Sequence, residues 1–266
     1  MFSFFRKKGT IVIRDTLDWH NATLDDLRDD KIRSAAALWD RTFKMTFMKC
    51  RALIKNQAQG FLRDITDTNI VPFQIAKAKK RPSLFTLICD DDDWYHPQLI
   101  SYLKKRSDDD AAILVWPDGI YGYRVRRNRV PGQSFLEEHL KGVRARPLSD
   151  ETALSIIKTN NFALAEVFFD HYSLSDAHSH GHVIHASSKV KVEKLPFPLS
   201  IANRHPCSYT VLTNLLIDNP PEQEGRERLQ ALVQDYVRSS YHLQPEFEWA
   251  VSHIAQVKEI FSHALT

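Results

Sequence analysis

Leu84-Phe-Thr-Leu-Ile-Cys-Asp-Asp-Asp-Asp-Trp-Tyr-His-Pro97 is the stretch on which the reading of this chain turns. Up to Cys89 it is apolar on both parities apart from Thr86, the pattern of a strand covered on both faces in a mostly parallel sheet. The strand stops at four consecutive aspartates. In an open α/β sheet ligands bind beyond the carboxyl ends of the strands, so the acidic run stands where a site is expected.

Working outward, Thr10-Ile-Val-Ile-Arg14 is a short β-branched strand. Between Asp30 and Gln57, Ile32, Trp39, Phe43, Phe47, Cys50 and Ile54 recur mainly at steps of three or four and predict one long helix, closed by Gly60. Phe61 to Ile65 then reads as a second strand, and Pro72 to Lys80 as a short basic helix with Pro at its start. Beyond the aspartates, His96-Pro97 opens a helix to Arg106, and Ala111 to Trp116 returns as a strand. Such alternation predicts an α/β layer architecture with a mainly parallel, Rossmann-type sheet. Ser149 to Thr159 has a capping-type opening for another helix. Past Pro220-Pro221, two apolar stripes at helical spacing form an αα-hairpin: Leu229, Leu232, Val233, Tyr236 and Val237 on one, Phe247, Val251, Ile254, Phe261 and Leu265 on the other. The expected organisation is a domain over residues 1–218 and a helical appendage over 219–266.

Composition narrows the classes. With 266 residues, 43% hydrophobic and 26% charged, the chain is neither disordered nor fibrous. A net charge of +3 is too small for a dedicated nucleic-acid binder, and no nucleic-acid partner is expected. Three cysteines without metal-ligand spacing predict reduced thiols in a cytoplasmic protein. No secretory leader is recognisable in the first residues, and no apolar run reaches the ~20 residues of a span, so membrane contact is expected to be peripheral at most, at the inner face.

Asp90 and Asp92, at alternate positions, can converge on one cation, and hard oxygen donors suit Mg²⁺ or Mn²⁺, which keep open positions for substrate phosphate. Asp108-Asp109-Asp110 is an internal comparison: it follows Lys104-Lys105-Arg106 at a helix end and reads as a surface turn.

Ile88 to Pro97 resembles the Asp-X-Asp segment of glycosyltransferases with the A-type fold (GT-A), and most of all a family of bacterial rhamnosyltransferases. The likeness covers roughly residues 10–210 and includes the early strand ending in Arg14 and the helix carrying Trp39, Arg41, Phe43, Phe47 and Gln57. It implies a metal-dependent enzyme that moves a sugar from a nucleotide-diphosphate donor to a saccharide or lipid-linked acceptor, in surface polysaccharide synthesis. It also implies that Asp90 faces the nucleotide ribose, that Asp92 and Asp90 bind the metal, and that Asp93 supports the loop. Arg14, Asp91 and Arg204 join the nucleotide-sugar contacts. The expected base-binding aspartate has only Asp64 and Asp67 as candidates. Asn203-Arg204-His205-Pro206 is similar to an element that supplies a metal-ligating His205 and a diphosphate-binding arginine. For the acceptor proton, the carboxylates offered are Glu166, Asp170 and Asp176, with Asp176 first.

Rival readings stay open. His178-Ser-His180-Gly-His182, if extended, places three imidazoles on one face and would suit a metal-dependent hydrolase. A non-catalytic relative using the fold for assembly is the third. Arg124, Arg126, Arg127, Arg129, Arg144 and Arg146, with Tyr121, Tyr123 and Trp116, could form an acceptor surface for an anionic polysaccharide or a lipid-linked diphosphate. The C-terminal hairpin, with mixed charge off its stripes, is expected to pack on its own domain and to contribute to a homodimer rather than to dock on lipid.

Overall fold

A computed structural model describes residues 9–14, 17–66, 69–72, 85–106, 111–123, 125–127, 134–136, 142–145, 160–173, 180–215, 220–240 and 242–266. In chain order the elements are β1 (Thr10–Ile13), α1 (Asp30–Thr42), α2 (Phe47–Ile65), β2 (Asn69–Pro72), β3 (Phe85–Cys89), β4 (Trp94–Tyr95), α3 (Leu99–Lys105) and β5 (Ile113–Val115). They continue with β6 (Asp118–Gly122), β7 (Val125–Arg127), β8 (Ser134–Leu136), β9 (Gly142–Ala145), β10 (Phe162–Ala165), α4 (His180–Ser187), β11 (Val192–Lys194) and β12 (Ser200–Arg204). The chain closes with α5 (Tyr209–Leu215), α6 (Glu222–Arg238), β13 (His242–Leu243) and α7 (Val251–Leu265). No described helix is long and apolar enough to cross a membrane.

The residues divide into two compact units, one of Met1–Thr16, Ala58–Gly119 and Ala145–Ile201, the other of Leu17–Gln57, Ile120–Arg144 and Ala202–Thr266. α6 and α7 share the second unit with α1.

The first unit holds a six-stranded sheet in the order β11-β5-β10-β3-β1-β2. β1 pairs parallel with β2 and β3, and β5 parallel with β11, whereas β10 is antiparallel to both β3 and β5. The chain is therefore α/β with a mixed sheet in which one strand runs against the rest. Every residue of β3 is buried, as its two-parity pattern requires. On one face Val12, Ile88, Ile113, Val115, Phe162 and Leu164 pack with Phe168 of the 3-10 turn after β10 and with Val183 and Ala186 of α4. Side chains of this size contribute about 1.5–3 kcal/mol each when fully buried.

The long helix expected over 30–57 is two. Trp39 Nε1 donates to the Met45 carbonyl at 2.9 Å, and the Asp40 carboxylate accepts the Phe47 N–H at 2.6 Å, so side chains stop α1 and start α2 without glycine or proline. Gly60 does not close α2. Ile54, Ala58, Phe61 and Leu62 are all buried, and this continued stripe carries the helix through the expected strand at 61–65 to Ile65. β2 follows instead, ending at Pro72; the rest of the expected basic helix, 73–80, lies outside the described residues, as does the one at 149–159.

In the second unit the C-terminal stripes are covered in part: Val251 and Leu265 are exposed, at 53% and 38%, and Leu232 and Val237 are half-buried. Leu229, Val233, Tyr236, Phe247 and Phe261 are wholly buried. Phe261 meets Trp39 at 5.9 Å and Tyr236 at 5.2 Å between ring centroids, and the Tyr236 hydroxyl donates to Asn203 Oδ1 at 2.9 Å. The buried part of this segment therefore packs on its own chain.

Gly122 has φ +91°, and a Cβ there would lie 2.2 Å from the Arg204 carbonyl oxygen, to which the Tyr123 N–H donates at 3.0 Å. Gly122→Ala should destabilise the protein by roughly 2–4 kcal/mol in urea unfolding. Gly60→Ala meets nothing within 4 Å and should stabilise by about 0.5–1 kcal/mol.

Candidate functional site

Register brings the first two site residues together. Ile13 pairs with Cys89 across parallel strands, so the residues that follow, Arg14 and Asp90, emerge side by side at the carboxyl edge. The Arg14 N–H donates to the Cys89 carbonyl at 2.9 Å, and Arg14 Nη1 lies 3.6 Å from Asp90 Oδ1. Both side chains are about one-third exposed, at 34% and 39%, so the pair adds little stability and its value is positional.

After Asp90 the chain turns inward. Asp91, Asp92 and Asp93 are 6%, 9% and 5% exposed. Buried carboxylates are costly unless they are paired or hydrogen-bonded, and none of these three is without an interaction. The turn is pinned on its far side by β4, whose Trp94 and Tyr95 pair with Ile201 and Ser200 of β12, and by the His96 N–H donating to the Leu199 carbonyl at 2.8 Å. Burial pushes the Cys89 thiol far above its ordinary range, with the Asp90 and Asp93 carboxylates adding to the rise, so Cys89 is a core thiol.

The direction of β10 decides what else arrives. Because it runs antiparallel, its first end meets the carboxyl ends of β3 and β5, carrying Asn160 and Asn161 there. Asn161 clasps Trp116: its carbonyl accepts the Trp116 N–H at 3.1 Å and its Nδ2 donates to the Trp116 carbonyl at 3.0 Å. Trp116 Nε1 in turn donates to Ser200 Oγ at 2.9 Å. Asp118, wholly buried, follows β5 at the same edge. Sequence reasoning missed Asn160, Asn161 and Asp118. Asn-Asn before an apolar run and Trp-Pro-Asp after a buried strand were legible, but not the reversal of β10.

The same reversal places two of the base candidates at the other end of β3. Ala165 pairs with Phe85, so Glu166 and Asp170, in the 3-10 turn after β10, sit at the amino end of β3. The length of β3, roughly 13 Å, separates that end from Asp90. Asp176 lies outside the described residues, as does Asp67; Asp64 is exposed on the last turn of α2.

Arg204 and His205 belong to the second unit. His205 is wholly buried, with Nδ1 accepting the Cys207 N–H at 3.1 Å, Nε2 3.1 Å from Arg51 Nη1, and its ring 5.7 Å from that of Phe261. Arg51 also lies over the Trp19 ring at 5.0 Å. Both imidazole nitrogens thus face protein N–H groups, and a metal at Nε2 would have to displace a guanidinium.

The histidine stretch is helical rather than extended. His180 and His182 are in α4, two residues and so about 200° apart around the axis, which removes the shared face. His178 lies outside the described residues, among which no group of three or more His, Cys, Asp or Glu side chains could hold a metal. Trp116, Tyr121 and Tyr123 are buried in the core and offer no flat face to an acceptor. Arg126, Arg127 and Arg144 fall on β7 and β9, while Arg124, Arg129 and Arg146 lie outside the described residues.

No protein-family model matches the chain, and no curated protein matches its sequence.

Untagged protein should carry well under one zinc per chain by elemental analysis, and a triple His178→Ala, His180→Ala, His182→Ala variant should leave the metal content unchanged. One tightly held zinc, lost in that variant, would restore the hydrolase reading.

Proposed function

We propose that this chain is a GT-A-like, divalent-metal-dependent glycosyltransferase that moves a sugar from a nucleotide-diphosphate donor to a saccharide or lipid-linked acceptor. One observation carries the reading: an acidic turn closes a fully buried central strand at the carboxyl edge of the sheet, with Arg14 of the next strand held 3.6 Å from its first carboxylate.

The donor chemistry fits Mg²⁺ or Mn²⁺ without a three-residue cluster, because such ions are commonly held by one or two carboxylates and completed by water and substrate phosphate. Asp92 and Asp90 would hold the ion, and its charge would stabilise the departing diphosphate. Arg14 orients Asp90 and turns its remaining N–H donors to the same phosphate oxygens. Asp91 and Asp93, buried in the turn, keep its backbone in one conformation. His205 is left out of the ligand set because Arg51 holds its Nε2 side. For the acceptor proton Asp176 remains of the three carboxylates considered, since Glu166 and Asp170 lie at the other end of β3.

Asp92→Asn should abolish the Mn²⁺-dependent rise in melting temperature that the cognate nucleotide sugar produces, and should abolish transfer, while leaving the circular dichroism spectrum unchanged. Asp109→Asn is the matched control and should behave as wild type. A wild-type protein that no nucleotide sugar stabilises, with or without Mn²⁺, would sink the enzyme and favour the assembly protein. Equal losses in both variants would show that the acidic turn is not the site.

A further inference from the structure

Three neighbouring strands present a row of polar side chains just past the core. Val12, Ile88 and Phe162 belong to one buried cluster, on β1, β3 and β10, which are adjacent in the sheet. Side chains alternate with period two, so two residues further toward the carboxyl edge the same face carries Arg14, Asp90 and, on the reversed β10, Asn160. The last pair of the β10–β3 ladder is Ala163↔Leu87, and Asn160 and Asp90 each lie three residues beyond it at the same end. Arg14 and Asp90 already meet at 3.6 Å.

Asn160 is the anomaly in this row. It is 2% exposed, and neither its amide oxygen nor its amide nitrogen has a hydrogen-bond partner among the described residues. A buried amide in that state calls for a missing partner, a ligand or a water, because it has lost its hydration and gained nothing. The row supplies a donor-only guanidinium, an acceptor-only carboxylate and an amide that does both. That set matches two adjacent hydroxyls next to a phosphate.

We propose that Asn160 is a ligand-contacting residue of the acidic site, hydrogen-bonding the ribose 2′-hydroxyl beside the 3′-hydroxyl from which Asp90 accepts. The row Arg14, Asp90, Asn160 then reads the ribose of the nucleotide. This rests on the reading of the acidic turn as a nucleotide-sugar site and adds to it a residue and a preference for ribose over deoxyribose. Asp90, with 39% of its side chain exposed, is the open neighbour through which the hydroxyls reach the closed amide.

Calorimetric titration of the full-length protein with Mn²⁺ and the diphosphates of uridine, guanosine, adenosine and cytidine, each beside its 2′-deoxy form, tests this. Wild type should bind one ribonucleotide at least tenfold more tightly than its deoxy counterpart, and Asn160→Ala should weaken the ribonucleotide about tenfold while barely changing the deoxy form. Asn160→Leu, closer in volume, should lose the same discrimination, and it carries the comparison if the alanine variant does not fold. Wild-type affinity and ribose preference retained in either folded variant would mean that the amide binds only a buried water, overturning the inference while the site reading stands. No ribose preference in wild type overturns the inference equally. Binding of none of the eight nucleotides would remove the site reading itself, and this inference with it.

Discussion

The in-register parallel pairing of β1 with β3 is the constraint from which the candidate site follows. Ile13 opposite Cys89 leaves Arg14 and Asp90 no choice but to emerge together, and the Arg14 N–H on the Cys89 carbonyl carries the ladder one step past the strands. A slip of one residue would send Arg14 to the opposite face, into the space of the core. The burial of both faces of β3 is what forbids that slip, so the same apolar residues that stabilise the sheet also position its polar edge.

The second determinant is the reversed strand. Inserted between β3 and β5, β10 brings its first end to the edge where the other strands finish, and this exchanges which residues are available there. Asn160 and Asn161 come in; Glu166 and Asp170 go to the far end. Asn161 is consumed in holding Trp116, through two bonds that join β5 to β10 beyond their ladder. Asn160 has no such structural employment, and this contrast between neighbouring residues of one type gives it functional interest.

The second unit shows how a buried charge can account for a residue that sequence alone would assign to chemistry. Arg51, 7% exposed, meets the Trp19 ring and the His205 imidazole, and the thiols of Cys50 and Cys207 stand 3.7 Å apart next to them. Each contact lowers the penalty of keeping a guanidinium out of water. Around it, Trp39, Tyr236 and Phe261 tie α1, α6 and α7 into one core. The C-terminal helices are therefore structural members of this unit, and the buried residues of their apolar stripes have their partners in the same chain.

Local pattern alone was enough for β1, β3, β5, α6 and α7, because each is written in a hydrophobic period that holds whatever surrounds it. It was also enough to set the acidic run at the carboxyl end of a strand buried on both faces, where Asp91, Asp92 and Asp93 are themselves buried. What it could not reach was anything set by pairing partners. The break between α1 and α2 comes from Asp40 and Trp39 reaching across the junction, and the helical state of His180 and His182 from the packing of Val183 and Ala186 on the sheet. Above all, the direction of β10 leaves no trace in its own four apolar residues, which would alternate identically either way. Only the neighbouring strands decide whether Asn160 or Glu166 stands beside Asp90, because direction is a property of hydrogen bonds between strands and not of the residues within one.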